Sequence, residues 1–98
     1  MMQVRGLEIL EDFKLHHADV RSQIDTLVLQ VKEAKWQKPE DVKKILGSAD
    51  FVGDDQVVIN LKGTKYRLVM KVNYKNQLVL MKRIGTHAEY SKWKLPLP

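Results

Sequence analysis

The stretch Val57-Val58-Ile59-Asn60-Leu61-Lys62-Gly63-Thr64-Lys65-Tyr66-Arg67-Leu68-Val69-Met70-Lys71-Val72 decides the fold. Two apolar-rich runs alternate with period two, as strands do, around Gly63-Thr64. Glycine first in a two-residue loop suits a type II′ hairpin turn, whose twist matches that of the flanking strands. The turn predicts that Lys62 faces Lys65, Asn60 faces Arg67 and Val58 faces Val69. One face then carries Val57, Ile59, Leu61, Tyr66, Leu68, Met70 and Val72. The other carries Val58, Asn60, Lys62, Lys65, Arg67, Val69 and Lys71. A slip of one residue would scramble both faces, so burial of the apolar set specifies the register.

Around this hairpin the second half of the chain reads as strand. Phe51-Val52 precede a turn at Gly53-Asp54-Asp55, and Leu78 to Ile84 form a further strand. The first half reads helical. Leu7, Leu10 and Phe13 recur at helical spacing. Val20, Ile24, Leu27, Val28, Val31 and Ala34 mark one face of a second helix, for which Asp19 is a candidate cap. Pro39 suits the first turn of a short third helix. In that helix Val42, Ile45 and Leu46 should pack inward and Gly47 can terminate it. Trp36 should seal the second helix against the core. The fold expected is α+β, with N-terminal helices packed on one face of a small, mostly antiparallel C-terminal sheet. Residues 1–98 read as one domain.

Composition narrows the chemistry. The 98 residues contain no cysteine, which rules out disulfides and Cys-based metal sites. No apolar run approaches the roughly 20 residues of a membrane span. Glu8, Glu11 and Asp12 argue against a signal peptide, and a soluble, cytoplasmic protein is expected. The net charge is +5, and it is unevenly placed. Residues 1–49 balance eight basic against eight acidic residues, whereas residues 50–98 hold nine against four. Four cations without an acid crowd the polar face of the hairpin, although opposed like charges destabilise a sheet. Phosphate binding would offset that cost; an inert solvated surface is the alternative.

RNA cleavage without a metal requires a base for the 2′-hydroxyl proton, cations for the charge developing on phosphorus, and an acid for the departing 5′-oxygen. His87, three residues before Tyr90 at the end of the last strand, can serve as base or acid. Arginine suits charge stabilisation, and a lysine crowded by like charges can shed its proton. His87-Ala88-Glu89 lacks the cysteines of a zinc deaminase. His16 and His17 are adjacent and would point about 100° apart on a helix, and no phosphate-binding glycine loop is present. Neither a metal nor another cofactor is expected. Trp93 could stack on bases.

The stretches Ala34-Lys35-Trp36, Pro39-Glu40-Asp41-Val42-Lys43, Phe51-Val52-Gly53-Asp54-Asp55, Lys62-Gly63-Thr64-Lys65-Tyr66-Arg67-Leu68-Val69, Val72-Asn73-Tyr74 and Gly85-Thr86-His87-Ala88-Glu89-Tyr90 resemble the HigB family of type II toxin–antitoxin toxins, within the RelE-like superfamily. The resemblance spans roughly residues 2–92. It implies a RelE-like fold and a ribosome-dependent mRNA endonuclease (an mRNA interferase). The implied partners are mRNA on the ribosome and a HigA-type helix-turn-helix antitoxin. On this reading Lys62, Lys65, Arg67, His87 and Tyr90 are the catalytic residues, and Lys71, Lys82 and Arg83 bind RNA. The chain departs from the family pattern at Ser91, where aspartate is usual, at Gln77, where glycine often closes the loop, and at Lys82-Arg83. A three-residue loop at Lys75-Asn76-Gln77 would put Arg83 on the basic face. The family pattern points to Lys82, and a bulge would exchange the two. The runner-up function is a non-catalytic RNA- or ribosome-binding module using the same face, and a third reading is a protein-interaction domain with an acidic partner.

Overall fold

The computed structural model describes all residues from Met1 to Pro98. The hairpin is paired as its turn predicts: in the antiparallel strands β3 (Gln56–Leu61) and β4 (Tyr66–Asn73), Val58 opposes Val69 and Asn60 opposes Arg67. The loop itself differs. It occupies Lys62 to Lys65, closed by Lys65 N–H donating to the Lys62 carbonyl at 3.2 Å, with positive φ at both Lys62 and Gly63. Pairing therefore ends at Leu61–Tyr66, and Lys62 and Lys65 leave the sheet. The Lys62 N–H is taken instead by Gln23 Oε1 at 2.7 Å.

β2 (Asp50–Gly53) joins β3 through Asp54 and Asp55, both at positive φ (52° and 59°), the conformation of a type I′ turn. β4 pairs antiparallel with β5 (Leu78–Thr86). The first half is not wholly helical: β1 (Gln3–Arg5) adds a parallel edge strand along Leu78–Leu80, giving the order β1-β5-β4-β3-β2. Periodicity could not reveal it, because three residues are too short to show a period. Gly6, at φ 80°, makes the turn from this strand into α1 (Leu7–His16), and a side chain there would collide with the Met81 carbonyl.

A 3₁₀ turn (Ala18–Val20), α2 (Arg21–Glu33) and α3 (Pro39–Ile45) follow α1. Together the helices bury Leu10, Phe13, Val20, Ile24, Leu27, Val31 and Val42 against the apolar face of the hairpin, as their spacing requires, and Trp36, in the link between α2 and α3, joins them. Ile45 does not join them; it is half exposed, because α3 ends there and Leu46 turns inward in its place. Gly47 plays no part in a left-handed cap. Asp19 does not cap α2, whose N-cap is Val20 without a side-chain bond.

The other face of the sheet was expected to be open, basic and free of acids. It is neither fully open nor free of acids. Val58 and Val69 form a second small core with Leu97, flanked by Val52, Tyr90, Trp93 and Leu95. The C-terminal segment lies across this outer face and shields its central valines from water. No helix is long and apolar enough to cross a membrane.

Candidate nucleic-acid interface

The outer face gathers its polar chemistry at the end where the β3–β4 loop meets the end of β5. There Thr86 opens α4 (His87–Tyr90) with a capping box: Glu89 N–H donates to Thr86 Oγ1 at 3.2 Å and Thr86 N–H to Glu89 Oε1 at 2.8 Å. The backbone bond from Thr86 holds the Glu89 carboxyl below its ordinary range. The His87 N–H donates to the Lys65 carbonyl at 2.9 Å, tying the histidine to the hairpin loop. Its side chain stays exposed, with its ring 6.4 Å from that of Tyr90.

Arg67 is the most enclosed of the expected site residues, only 9% exposed. It pairs with Gly85, over which Trp93 and the Glu89 carboxylate pack. Nη1 donates to the Thr64 carbonyl and, at 3.4 Å, to that of Tyr66, while Cζ lies 5.1 Å from the centre of the Tyr90 ring. Backbone acceptors and an aromatic face thus fix a planar fork, leaving its remaining donors without protein acceptors. Arg67 and His87 each lie beside Tyr90.

The lysines do not. Lys65 swings away from Arg67 toward the helices and pairs with Asp19 Oδ2 at 2.7 Å, while Tyr66 Oη donates to Asp19 Oδ1 at 2.8 Å. The Lys65 bond, then that of Tyr66, holds the Asp19 carboxyl below its ordinary value, and Asp19 in turn holds Lys65 above its own. Lysine deprotonation through like-charge crowding, expected from the sequence, is therefore reversed at Lys65 by an acid from 46 residues earlier. Lys71 likewise pairs with Asp54 Oδ2 at 3.1 Å, and that bond lowers the Asp54 pKa. Lys62 stands exposed in the loop.

A bulge settles the placement of the β5 pair. Val69 opposes Arg83 and Met70 opposes Met81, so Lys82 is the extra residue. Both side chains reach the outer face: Arg83 Cζ lies 5.5 Å from the centre of the Trp93 ring, and Lys82 Nζ donates to Pro98 O at 3.0 Å. The expected loop of three residues is one of four, because Asn73 pairs with Leu78.

Sequence reading missed Asp19, Gln56 and the segment ending in Leu97. A glutamine at a strand start and an apolar tail carry no local pattern, and their partners lie far along the chain. His17, set aside in the sequence, packs on Phe13 and Tyr66 with ring centres 4.0 and 5.1 Å away. No three His, Cys, Asp or Glu side chains are grouped as a metal site.

The family model HigB_toxin, described as the RelE-like toxic component of a toxin–antitoxin system, matches residues 20–93, which include the hairpin, β5 and α4. No curated protein matches the chain.

Proposed function

The chain belongs to the HigB toxin family, RelE-like toxic components of toxin–antitoxin systems, and from that premise we propose that it is a ribosome-dependent mRNA endonuclease acting without a metal. Family membership implies an antitoxin partner; a HigA-type protein with a helix-turn-helix domain is the proposed one. The observation that carries the reading is the fixed Arg67 guanidinium beneath Tyr90, whose ring also lies 6.4 Å from that of the exposed His87. A fork held in this way can take two oxygens of one phosphate. His87 accepts the 2′-hydroxyl proton as that oxygen attacks the adjacent phosphorus. Arg67 neutralises the charge on the non-bridging oxygens, and the 5′-oxygen leaves with a proton from a cationic side chain or from water. The products are a 2′,3′-cyclic phosphate and a 5′-hydroxyl. Tyr90 supports the guanidinium and offers its other edge to a base. Lys62 holds a neighbouring phosphate, and Lys71, Lys82 and Arg83 bind the strand farther along. Lys65 acts as a tethered cation and not as a base.

A basic face alone binds RNA without setting a 2′-hydroxyl in line with its phosphate; the ribosome would supply that orientation. Inducing the chain without an antitoxin should therefore arrest translation and leave 5′-hydroxyl ends inside translated frames, while naked RNA survives. Equal cleavage of free and ribosome-bound message would defeat the ribosome-dependent reading. The pairing of Lys65 with Asp19 favours a second reading, a non-catalytic RNA- or ribosome-binding module, because it takes Lys65 out of the acid–base pair. That module would bind ribosomes and block translation with no new RNA ends.

A further inference from the structure

We infer that residues 94–98 form a removable strap seated in a slot on the outer face, and that single-stranded RNA extending beyond the Arg67 end of that face displaces it. The inference rests on the RNA-cleaving reading above.

Gln56 reveals the slot. It lies on the outer face opposite Lys71, where a glutamine would ordinarily be solvated, yet it is 1% exposed. Its amide grips one residue of the strap twice: Nε2 donates to the Leu97 carbonyl and Oε1 accepts from the Leu97 N–H, both at 2.7 Å. The side chain thus satisfies the backbone of Leu97 as a neighbouring strand would. The Leu97 side chain, 4% exposed, fills the space over Val58 and Val69.

Little else holds the segment. No backbone–backbone hydrogen bond involves residues beyond Trp93, and the remaining polar tie is Lys82 to Pro98 O. A segment held by one glutamine, one lysine, the buried Leu97 and the half-buried Leu95 belongs to the low-stability end of a fold, where local opening is cheapest.

Its position gives that opening a consequence. Along β4 the outward residues run Arg67, Val69, Lys71, and Leu97 sits on Val69 between the two cations. With the strap in place the basic surface is split into an Arg67 end and a Lys71 end, and Lys82 is occupied by the strap itself. With the strap removed, Arg67, Lys71 and Lys82 flank one continuous apolar floor. Cations for phosphates beside an apolar surface for bases are what a single strand requires.

The test uses the full chain with an RNA dodecamer and a dinucleotide as probes. Amide exchange is followed by NMR at Leu97 and, as a fold control, at Leu68 in β4. The dodecamer should remove protection at Leu97 and leave Leu68 protected, while the dinucleotide should leave both protected. Gln56→Ala and Leu97→Ser should each bind the dodecamer about tenfold more tightly, because apparent affinity scales with the fraction of molecules already open. Their affinity for the dinucleotide should be unchanged. A dodecamer complex in which Leu97 stays protected would overturn the inference while leaving the RNA-binding reading intact, and so would folded variants that bind no more tightly. Absence of dodecamer binding by every form would overturn both. If the variants fail to fold, exchange in the unaltered chain still decides.

Discussion

Replacing Arg67 with lysine keeps the charge and removes the fork. The geometry sets two separate magnitudes. The first is catalytic: a lysine ammonium cannot hold two phosphate oxygens in the guanidinium plane. Loss of one positioned stabilising donor should lower single-turnover cleavage on programmed ribosomes by about ten- to a thousandfold. The second is structural, since Arg67 is nearly buried and bonded to the Thr64 carbonyl. Facing away from the main core does not make the side chain dispensable to the fold. A hydrogen bond from a charged donor contributes about 1.5–3 kcal/mol and the Tyr90 contact about 0.5–2 kcal/mol. Lysine can recover part of each, so a net loss of about 1–2 kcal/mol is expected, lowering Tm by roughly 4–16 °C. A chain of this size holds at least about 5 kcal/mol of stability, so the variant should remain over about 99% folded at 25 °C. Unfolding therefore cannot account for the lost rate. Cleavage, RNA binding and thermal unfolding should be measured on the same preparation. Cleavage at the original rate would remove Arg67 from the mechanism, and binding lost in proportion to cleavage would reduce its role to holding RNA.

His87→Ala should lower cleavage by about a hundred- to ten-thousandfold, the usual worth of a general base, with Tm almost unchanged because the side chain is exposed; retained cleavage would assign the base elsewhere. Asp19, whose folded pKa lies below its ordinary 3.8, contributes stability that is present above that value and is lost as pH falls through the lower folded one. Asp19→Asn should thus flatten the acid limb of a Tm-versus-pH curve measured below about pH 4, and an unaltered limb would show that the pairing of Asp19 with Lys65 and Tyr66 is not formed in solution. Gly85→Ala places a Cβ 2.9 Å from Trp93 Cζ2 and 3.2 Å from Glu89 Oε1. It should cost about 1–3 kcal/mol and weaken cleavage by disturbing the α4 cap beside His87; unchanged stability and activity would mean that Trp93 moves aside freely.

Much of the interface could be read before folding because its determinants are local. Arg67 was placed opposite Asn60, and His87 near Tyr90, from a turn and a short motif. The fate of the lysines was not legible. Lys65 meets Asp19 from the middle of the 3₁₀ turn preceding α2, and Lys71 meets Asp54 from a neighbouring turn. Neither acid shares a strand face with its lysine, so alternation along the hairpin had counted the cations as uncompensated. Lys82 and Arg83 could not be assigned either, because a single bulge residue reverses the alternation beyond it and leaves no mark in composition.

By itself the sequence determined the α+β class, the two-faced hairpin and its register, the helical faces that cover one side, and the family motif. These follow from periods of two and 3.6 residues and from turn chemistry, which act over a few neighbours. Only the tertiary structure decided that a parallel β1 joins the sheet edge, that Asp19 draws Lys65 away from Arg67, and that Gln56 holds Leu97 over the outer face. Such pairings depend on which distant groups the packed core brings within hydrogen-bond reach. A linear pattern records which residues share a face, but not what the rest of the chain lays upon it.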